Sequence, residues 1–340
     1  LGKKRLYAKI ANMAYDFITI GGATKDLSLF TAEGVLIDNP SDPLRLQLIA
    51  FEQGAKIGVP QVWESFGGGA ANTAVNLATL GFRVSAICDL GRDSVGQEII
   101  RNLKKRGVNT NLVVSWPEEA SGMSLILIAP NGERVIFAAR GANRRLDFNA
   151  ARRRALGRAK NIYLSSLSGA WKQDLREIFR YASGRIFWNP GARQLKAGVK
   201  FLKPFLKKTT VLIVNRDEAL EIVLSDPRYV GQDLKTLNKA AFLLKTLRSY
   251  GPEVVLLTDG RAGSYCANAN KTHHQGVVGR QKAVDATGVG DVFGSTWVAA
   301  WLLSEGDLKQ ASLLASRQAA GKITQHGAQN GLKTLKELNK

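Results

Sequence analysis

Six short apolar runs recur along this chain: Asp16–Ile20, Val84–Cys88, Asn161–Ser165, Arg185–Trp188, Val211–Val214 and Val254–Thr258. Each is too short to be a helix, and each is too continuously apolar to be a strand with one wet face. Helical patterns lie between and after them, notably Ala70–Leu80 closed by Gly81, Val95–Arg106, Asp291–Leu303 and Leu308–Thr324. Repeated strand–helix alternation implies an α/β fold, with a mostly parallel sheet covered by helices on both faces. Two features interrupt the alternation. Thr31–Pro60 is loop-rich, and Asn131-Gly132 is a two-residue hairpin signal between Met123–Ala129 and Val135–Ala139. A two-stranded piece is marginal alone, so these segments are expected to pack together as a small β lid.

No internal repeat or low-complexity linker divides the chain, which predicts one domain over residues 13–331. The lid segments are expected at about 24–65 and 112–141. Residues 1–12 are expected to be a poorly ordered basic leader ahead of Met13, and residues 332–340 a tail helix.

The 48 Lys and Arg against 28 Asp and Glu give a net charge of +20, which favours anionic partners. The basic residues are scattered over Lys3–Arg5, Arg101–Arg106, Arg144–Lys160 and Lys196–Lys208. Arg152, Arg153 and Arg154 fan out around a helix, and aromatic residues do not alternate with the basic runs. A solvated basic surface is therefore expected, and nucleic acid is not expected as a partner. Cys88 and Cys266 stand far apart and His273 and His274 are adjacent in a chain with three histidines, so a disulfide scaffold and a zinc module are both disfavoured. With no apolar run long enough to span a bilayer, the expected location is the cytoplasm, with no membrane partner.

The chemistry concentrates in four clusters. Asp285-Ala286-Thr287-Gly288-Val289-Gly290-Asp291 precedes an apolar helix, whose free N–H groups make an anion site. Asp291 is there either an N-cap or a general base beside the anion. Gly67-Gly68-Gly69 ahead of Asn72 brings backbone close to a ligand, or else forms a plain tight loop. Asn215 and Glu218 follow a buried strand at the sheet edge where open α/β folds bind ligands; Glu218 is either a Mg²⁺ ligand or half of a capping box. Thr258-Asp259-Gly260-Arg261-Ala262-Gly263 is a second glycine-bearing strand end.

In order and spacing these clusters resemble the PfkB/ribokinase family of carbohydrate kinases, from about Asp16 to Gly331. Gly67–Leu80 with Gly91-x-Asp93-x-x-Gly96 and Gly107-Val108 is similar to the family's N-terminal signature, and Asp285–Phe293 to its C-terminal one. The resemblance implies a ribokinase-like three-layer fold. It also implies an ATP-dependent, Mg²⁺-dependent kinase transferring the γ-phosphoryl group to a sugar hydroxyl. Asp291 would be the base, and the N–H groups of Gly288, Val289 and Gly290 the anion hole. Asn215 and Glu218 would organise the ATP phosphates and Mg²⁺, directly or through water, and Thr258, Gly260 and Gly263 the nucleotide loop. Asp26, Gly68, Gly69 and Asn72 would line the acceptor pocket. Apart from the resemblance, Arg140-Gly141-Ala142-Asn143 at the end of the hairpin either places a cationic group over that pocket, suited to an acidic or phosphorylated acceptor, or is plain surface. Asp285 and Thr287 would hold a monovalent cation such as K⁺. A homodimer through the lid is expected. Ser165-Ser166-Leu167-Ser168, where ribokinases carry a Glu, and Gly-Gly-Ala-Ala-Asn at Gly68–Asn72 both depart from the ribose-binding pattern. A nucleoside kinase, with Phe30, Phe51 and Trp63 enclosing a base, is the nearest alternative. A non-catalytic nucleic-acid-binding relative is a remote one.

Overall fold

The computed structural model describes residues 15–39, 47–129, 134–279 and 283–340. The expected basic leader and the Asn131-Gly132 turn lie outside them. Among the described residues sixteen strands are numbered in chain order: β1 Phe17–Ile20, β2 Thr24–Phe30, β3 Val35–Asp38, β4 Gln47–Ala50, β5 Gln61–Gly67, β6 Val84–Ile87, β7 Asp89–Gly91, β8 Val114–Trp116, β9 Gly122–Ile128, β10 Arg134–Ala139, β11 Asn161–Leu164, β12 Arg185–Trp188, β13 Val211–Asn215, β14 Val254–Thr258, β15 Ser264–Ala267 and β16 Thr272–Gln275.

The main sheet runs β16-β15-β14-β13-β12-β11-β1-β6. All six predicted strands are in it and run parallel; β15 and β16 add an antiparallel edge. Alternate strand residues enter opposite cores. Phe17 and Ala86 pack with Trp297 on one face, while Ile18 and Ile87 pack on the other with Trp188. Two cores on two faces make the three layers, since each helix buries one apolar stripe against the sheet. From β1 the chain goes to β6 on one side and later to β11 on the other. That reversal opens a crevice beyond the carboxyl end of β1, where Gly21 and Gly22 stand.

The second sheet, β10-β9-β2-β5, contains the expected hairpin as antiparallel β9 and β10, with Leu125 opposite Phe137. Its other strands, β2 and β5, flank the loop-rich segment. The middle of that segment forms a separate antiparallel pair, β3 and β4. Along β2 the buried residues Thr24, Asp26 and Ser28 alternate with half-buried ones, the mark of a strand with one covered face. The tail contains a short helix, Leu335–Leu338, closed at its start by a Thr334–Glu337 capping box.

The three consecutive arginines do fan out, but not all into solvent. Arg152 is fully buried and pairs with Asp89, while Arg153 pairs with Glu177 and Arg154 is exposed.

Candidate active site

The helix Val289–Leu303 begins with Gly288 as its N-cap, at φ +73°, a left-handed conformation that suits glycine. Asp291 is therefore not the cap. Its carboxylate makes no capping bond and instead accepts a hydrogen bond from Asn72 Nδ2 at 2.8 Å. Asn72 Oδ1 in turn accepts from Gln329 Nε2 at 3.1 Å, and Gln329 Oε1 from Asn102 Nδ2 at 2.8 Å. This relay fixes the orientation of both amides and holds Asp291 Oδ2. Asp291 Oδ1 is left facing the glycines, 3.6 Å from where a Cβ on Gly69 would stand. Burial pushes the Asp291 carboxyl above its ordinary value, and the Asn72 bond offsets part of that rise.

Among the described residues the N–H groups of Gly288, Gly290 and Asp291 have no backbone partner; that of Val289 is already spent on the Ala286 carbonyl at 3.3 Å. A Cβ on Gly290 would meet nothing within 4 Å, so open space adjoins these donors. A helix N-terminus with free donors, open space and a carboxylate at its first turn can bind an anion while taking up a proton beside it.

A cleft next to Asp291 is lined by Gly21, Gly22, Gly68, Gly69, Arg140 and Asn143, with Thr24 and Leu146 and with Ser166, Leu167 and Ser168. Gly21, Gly68 and Gly69 are steric necessities. A Cβ on Gly68 would stand 2.5 Å from the Gly22 carbonyl, and one on Gly69 2.6 Å from Ser165 Oγ. Asn143 lines the cleft, but its amide is committed to Ala23, accepting from N and donating to O at 2.9 Å each. Asn72 likewise faces Asp291 rather than the cleft. Asp26 lies behind Thr24, whose Oγ1 donates to it at 2.8 Å, and burial raises its carboxyl. Arg140 has no ion-pair partner among the described residues.

On the other side, Asn215 and Thr258 are register partners at the carboxyl ends of β13 and β14. Asn215 caps the helix Arg216–Leu224 and Glu218 reciprocates, Glu218 N–H to Asn215 Oδ1 at 2.8 Å and Asn215 N–H to Glu218 Oε2 at 2.9 Å. The capping box is thus real. It leaves Glu218 Oε1 for another role, and burial raises this carboxyl. Gly260 and Gly263 bracket a tight turn in which Asp259 N–H bonds the Gly263 carbonyl at 2.8 Å. Arg216 Nε clamps that turn through Asp259 Oδ1 at 2.7 Å. Among the described residues no cluster of three or more His, Cys, Asp or Glu could cage a metal. Mg²⁺ commonly binds through one or two carboxylates plus substrate phosphates, so Glu218 alone is a sufficient protein contribution.

Asp285 and Thr287 do come together, Asp285 Oδ1 accepting the Thr287 N–H at 2.7 Å. Burial raises the Asp285 carboxyl, but the bonds from Thr287 and Gly327 and the charge of Lys322 outweigh it and hold it below its ordinary value. Lys322, fully buried, is pushed down to about 8. Gln329 and Lys322 carry no motif signal; both become legible only once the C-terminal helix and the loop after it are folded onto Asn72 and Asp285.

The sequence profile of the pfkB family carbohydrate kinases matches residues 42–335. The chain belongs to that family. A ribokinase of Haemophilus influenzae is 27% identical over 279 residues, covering 80% of this chain and 86% of its own. A deoxyribokinase of Salmonella typhimurium is 25% identical over 327 residues, covering 95% and 97%. The fold is shared with an Arabidopsis thaliana ribokinase complexed with ribose and ATP, at a TM-score of 0.77 and 17% identity, over 96% of this chain and 98% of that one. A Burkholderia thailandensis nucleoside kinase in complex with inosine gives a TM-score of 0.73 at 19% identity, over 95% and 96%. As a pfkB member the chain is an ATP-dependent carbohydrate kinase, and among the described residues no helix is long and apolar enough to cross a membrane.

Proposed function

We propose that this pfkB kinase transfers the γ-phosphoryl group of ATP to a hydroxyl of a small sugar bound in the cleft beside Asp291. The observation that carries the reading is the pairing of Asp291 with open helix N-terminal donors across from the cleft glycines. The acceptor hydroxyl gives its proton to Asp291 Oδ1 as its oxygen attacks the γ-phosphorus, and the bond from that phosphorus to the bridging oxygen breaks to release ADP. The charge spreading over the transferred group is met by the N–H groups of Gly288 and Gly290 and the positive end of the helix. Asn72 and Gln329 keep Asp291 aimed. Asn215, Glu218, Thr258, Gly260 and Gly263 hold the nucleotide end, and Mg²⁺ bound with Glu218 neutralises phosphate charge when present.

Two observations bear on the acceptor. None of Phe30, Phe51 and Trp63 lines the cleft, and Trp63 is stacked on His326 with ring centroids 4.2 Å apart. That favours a sugar over a nucleoside. Arg140, beside Ser166 and Ser168 in the cleft, suits an acceptor bearing a carboxylate or phosphate. The test is acceptor-dependent ADP formation with ribose, deoxyribose, fructose, 2-keto-3-deoxygluconate and adenosine. A sugar should give the highest kcat/KM; preference for adenosine would move the assignment to a nucleoside kinase.

The outer face of the β10-β9-β2-β5 sheet exposes Val62, Met123, Leu125 and Phe137. This face supports a homodimer formed sheet to sheet, which would also cover the lid that closes the cleft.

A further inference from the structure

The residues around Asp285 do not suit a free monovalent cation, because the protein brings two cations of its own. Lys322 Nζ donates to the Asp285 carbonyl oxygen at 2.7 Å and stands 3.9 Å from Asp285 Oδ2. Arg134 Nη1 stands 3.7 Å from Asp285 Oδ1 and 3.4 Å from Thr287 Oγ1. The carboxylate is further occupied by the N–H groups of Thr287 at 2.7 Å and Gly327 at 2.8 Å. The carbonyl and both carboxylate oxygens of Asp285 and the Thr287 hydroxyl already face donors, and an added cation would meet two like charges within a few ångströms.

The same contacts fasten the turn that leads into the anion hole. Val284 and Asp285 both donate their N–H to the Ile323 carbonyl, at 2.7 and 3.2 Å, so residues 284 and 285 are zipped to the end of the helix Leu308–Lys322. Lys322 is the last residue of that helix, and its fully buried side chain reaches from there to Asp285. We propose that Lys322 is a built-in cation, its ammonium standing where a free monovalent ion would clamp Asp285 and position the Gly288–Gly290 turn, so that the protein works without K⁺. Lys322 is then a positioning residue; it reaches the reacting atoms through Asp285 and the turn.

The role of the turn rests on the reading of Gly288–Gly290 as the anion hole, but the test of the built-in cation needs no turnover. Thermal unfolding of the wild-type protein is measured in KCl, NaCl and choline chloride at one ionic strength, with Tl⁺ binding followed by NMR. The wild type should unfold at the same temperature in all three salts and bind no Tl⁺ at this site. Lys322→Ala should unfold several degrees lower in choline chloride and recover specifically in KCl, because the vacated position now admits the ion. A K⁺-specific rise in the wild type overturns the proposal, as does a folded Lys322→Ala protein indifferent to K⁺. Should Lys322→Ala not fold, Lys322→Ser serves in its place, and the wild-type comparison decides by itself. Unchanged kinase activity of Lys322→Ala in choline chloride, with this cation behaviour intact, would instead count against the anion-hole reading.

Discussion

Asp291 and Glu218 are both carboxylates raised by burial, yet their surroundings assign them different tasks. Asp291 has one oxygen held by Asn72 and one turned to the cleft glycines, whereas Glu218 has one oxygen spent on a cap. Glu218→Gln keeps the capping oxygen, so stability should change by less than about 1 kcal/mol. The Mg²⁺ concentration for half-maximal rate should nevertheless rise, since a neutral amide is a poorer partner for the hydrated ion; an unchanged Mg²⁺ titration leaves Glu218 with the cap alone. Asp174 is a carboxylate of another kind. It is 5% exposed, its Oδ2 has no hydrogen-bond partner among the described residues, and burial with the charges of Asp89, Asp147 and Glu177 pushes it up to about 7. The buried Arg152 nearby is engaged by Asp89. The folded form therefore holds a proton that the unfolded chain releases above its ordinary value near 4. Stability should fall as pH rises from about 4 to about 7, and the full penalty should persist above that. Asp174→Asn should gain on the order of 1–3 kcal/mol over wild type at pH 8 and nothing at pH 4. Denaturant unfolding at both pH values measures this; an equal gain at both would place the effect in packing.

At the scale of elements, the parallel strands were legible because each is a continuous apolar run buried on both faces. The helix Gly69–Thr79, with Gly81 at φ +95° just past its end, was equally readable from its closing glycine. The strands that escaped sequence reasoning have one wet face or an edge. β2 reads Thr-Lys-Asp-Leu-Ser-Leu-Phe and β16 Thr-His-His-Gln, where polar residues mask the period of two. Their pairing comes from tertiary partners that no local pattern announces. The site followed the same division. Glycine turns and Asp291 stood out by spacing, but the commitment of Asn72 to Asp291 and of Asn143 to Ala23 depends on contacts over more than a hundred residues. Arg152 was read as surface charge and is a tie between elements. From the helix Ala150–Leu156 it donates to the carbonyls of Leu112 and Cys88, at 2.9 and 3.0 Å, and pairs with Asp89 on β7. Arg152→Ala leaves Asp89 buried without its partner and should cost about 3–5 kcal/mol. A loss under 1 kcal/mol in denaturant unfolding would show that Asp89 simply takes up a proton.

For the whole molecule, the charge of +20 is scattered along the sequence, and among the described residues Arg152 and Lys322 are buried and used internally. The more consequential surface is apolar. If the exposed face of the second sheet pairs two copies, Phe137→Lys should shift sedimentation from dimer to monomer and raise acceptor-independent ATP hydrolysis through a looser lid. A wild-type monomer at micromolar concentration would set that arrangement aside.

On the proposed mechanism ATP and a sugar hydroxyl meet at Asp291, and this carboxylate takes the proton. The decisive measurement is the rate of sugar-dependent ADP formation in Asp291→Asn, with ATP binding followed on the same protein. General-base assistance is worth about 10²–10⁴-fold, so kcat should fall by that factor while the ATP Kd stays close to wild type. A variant that retains more than about a tenth of the wild-type kcat would contradict the assignment of Asp291 as the base.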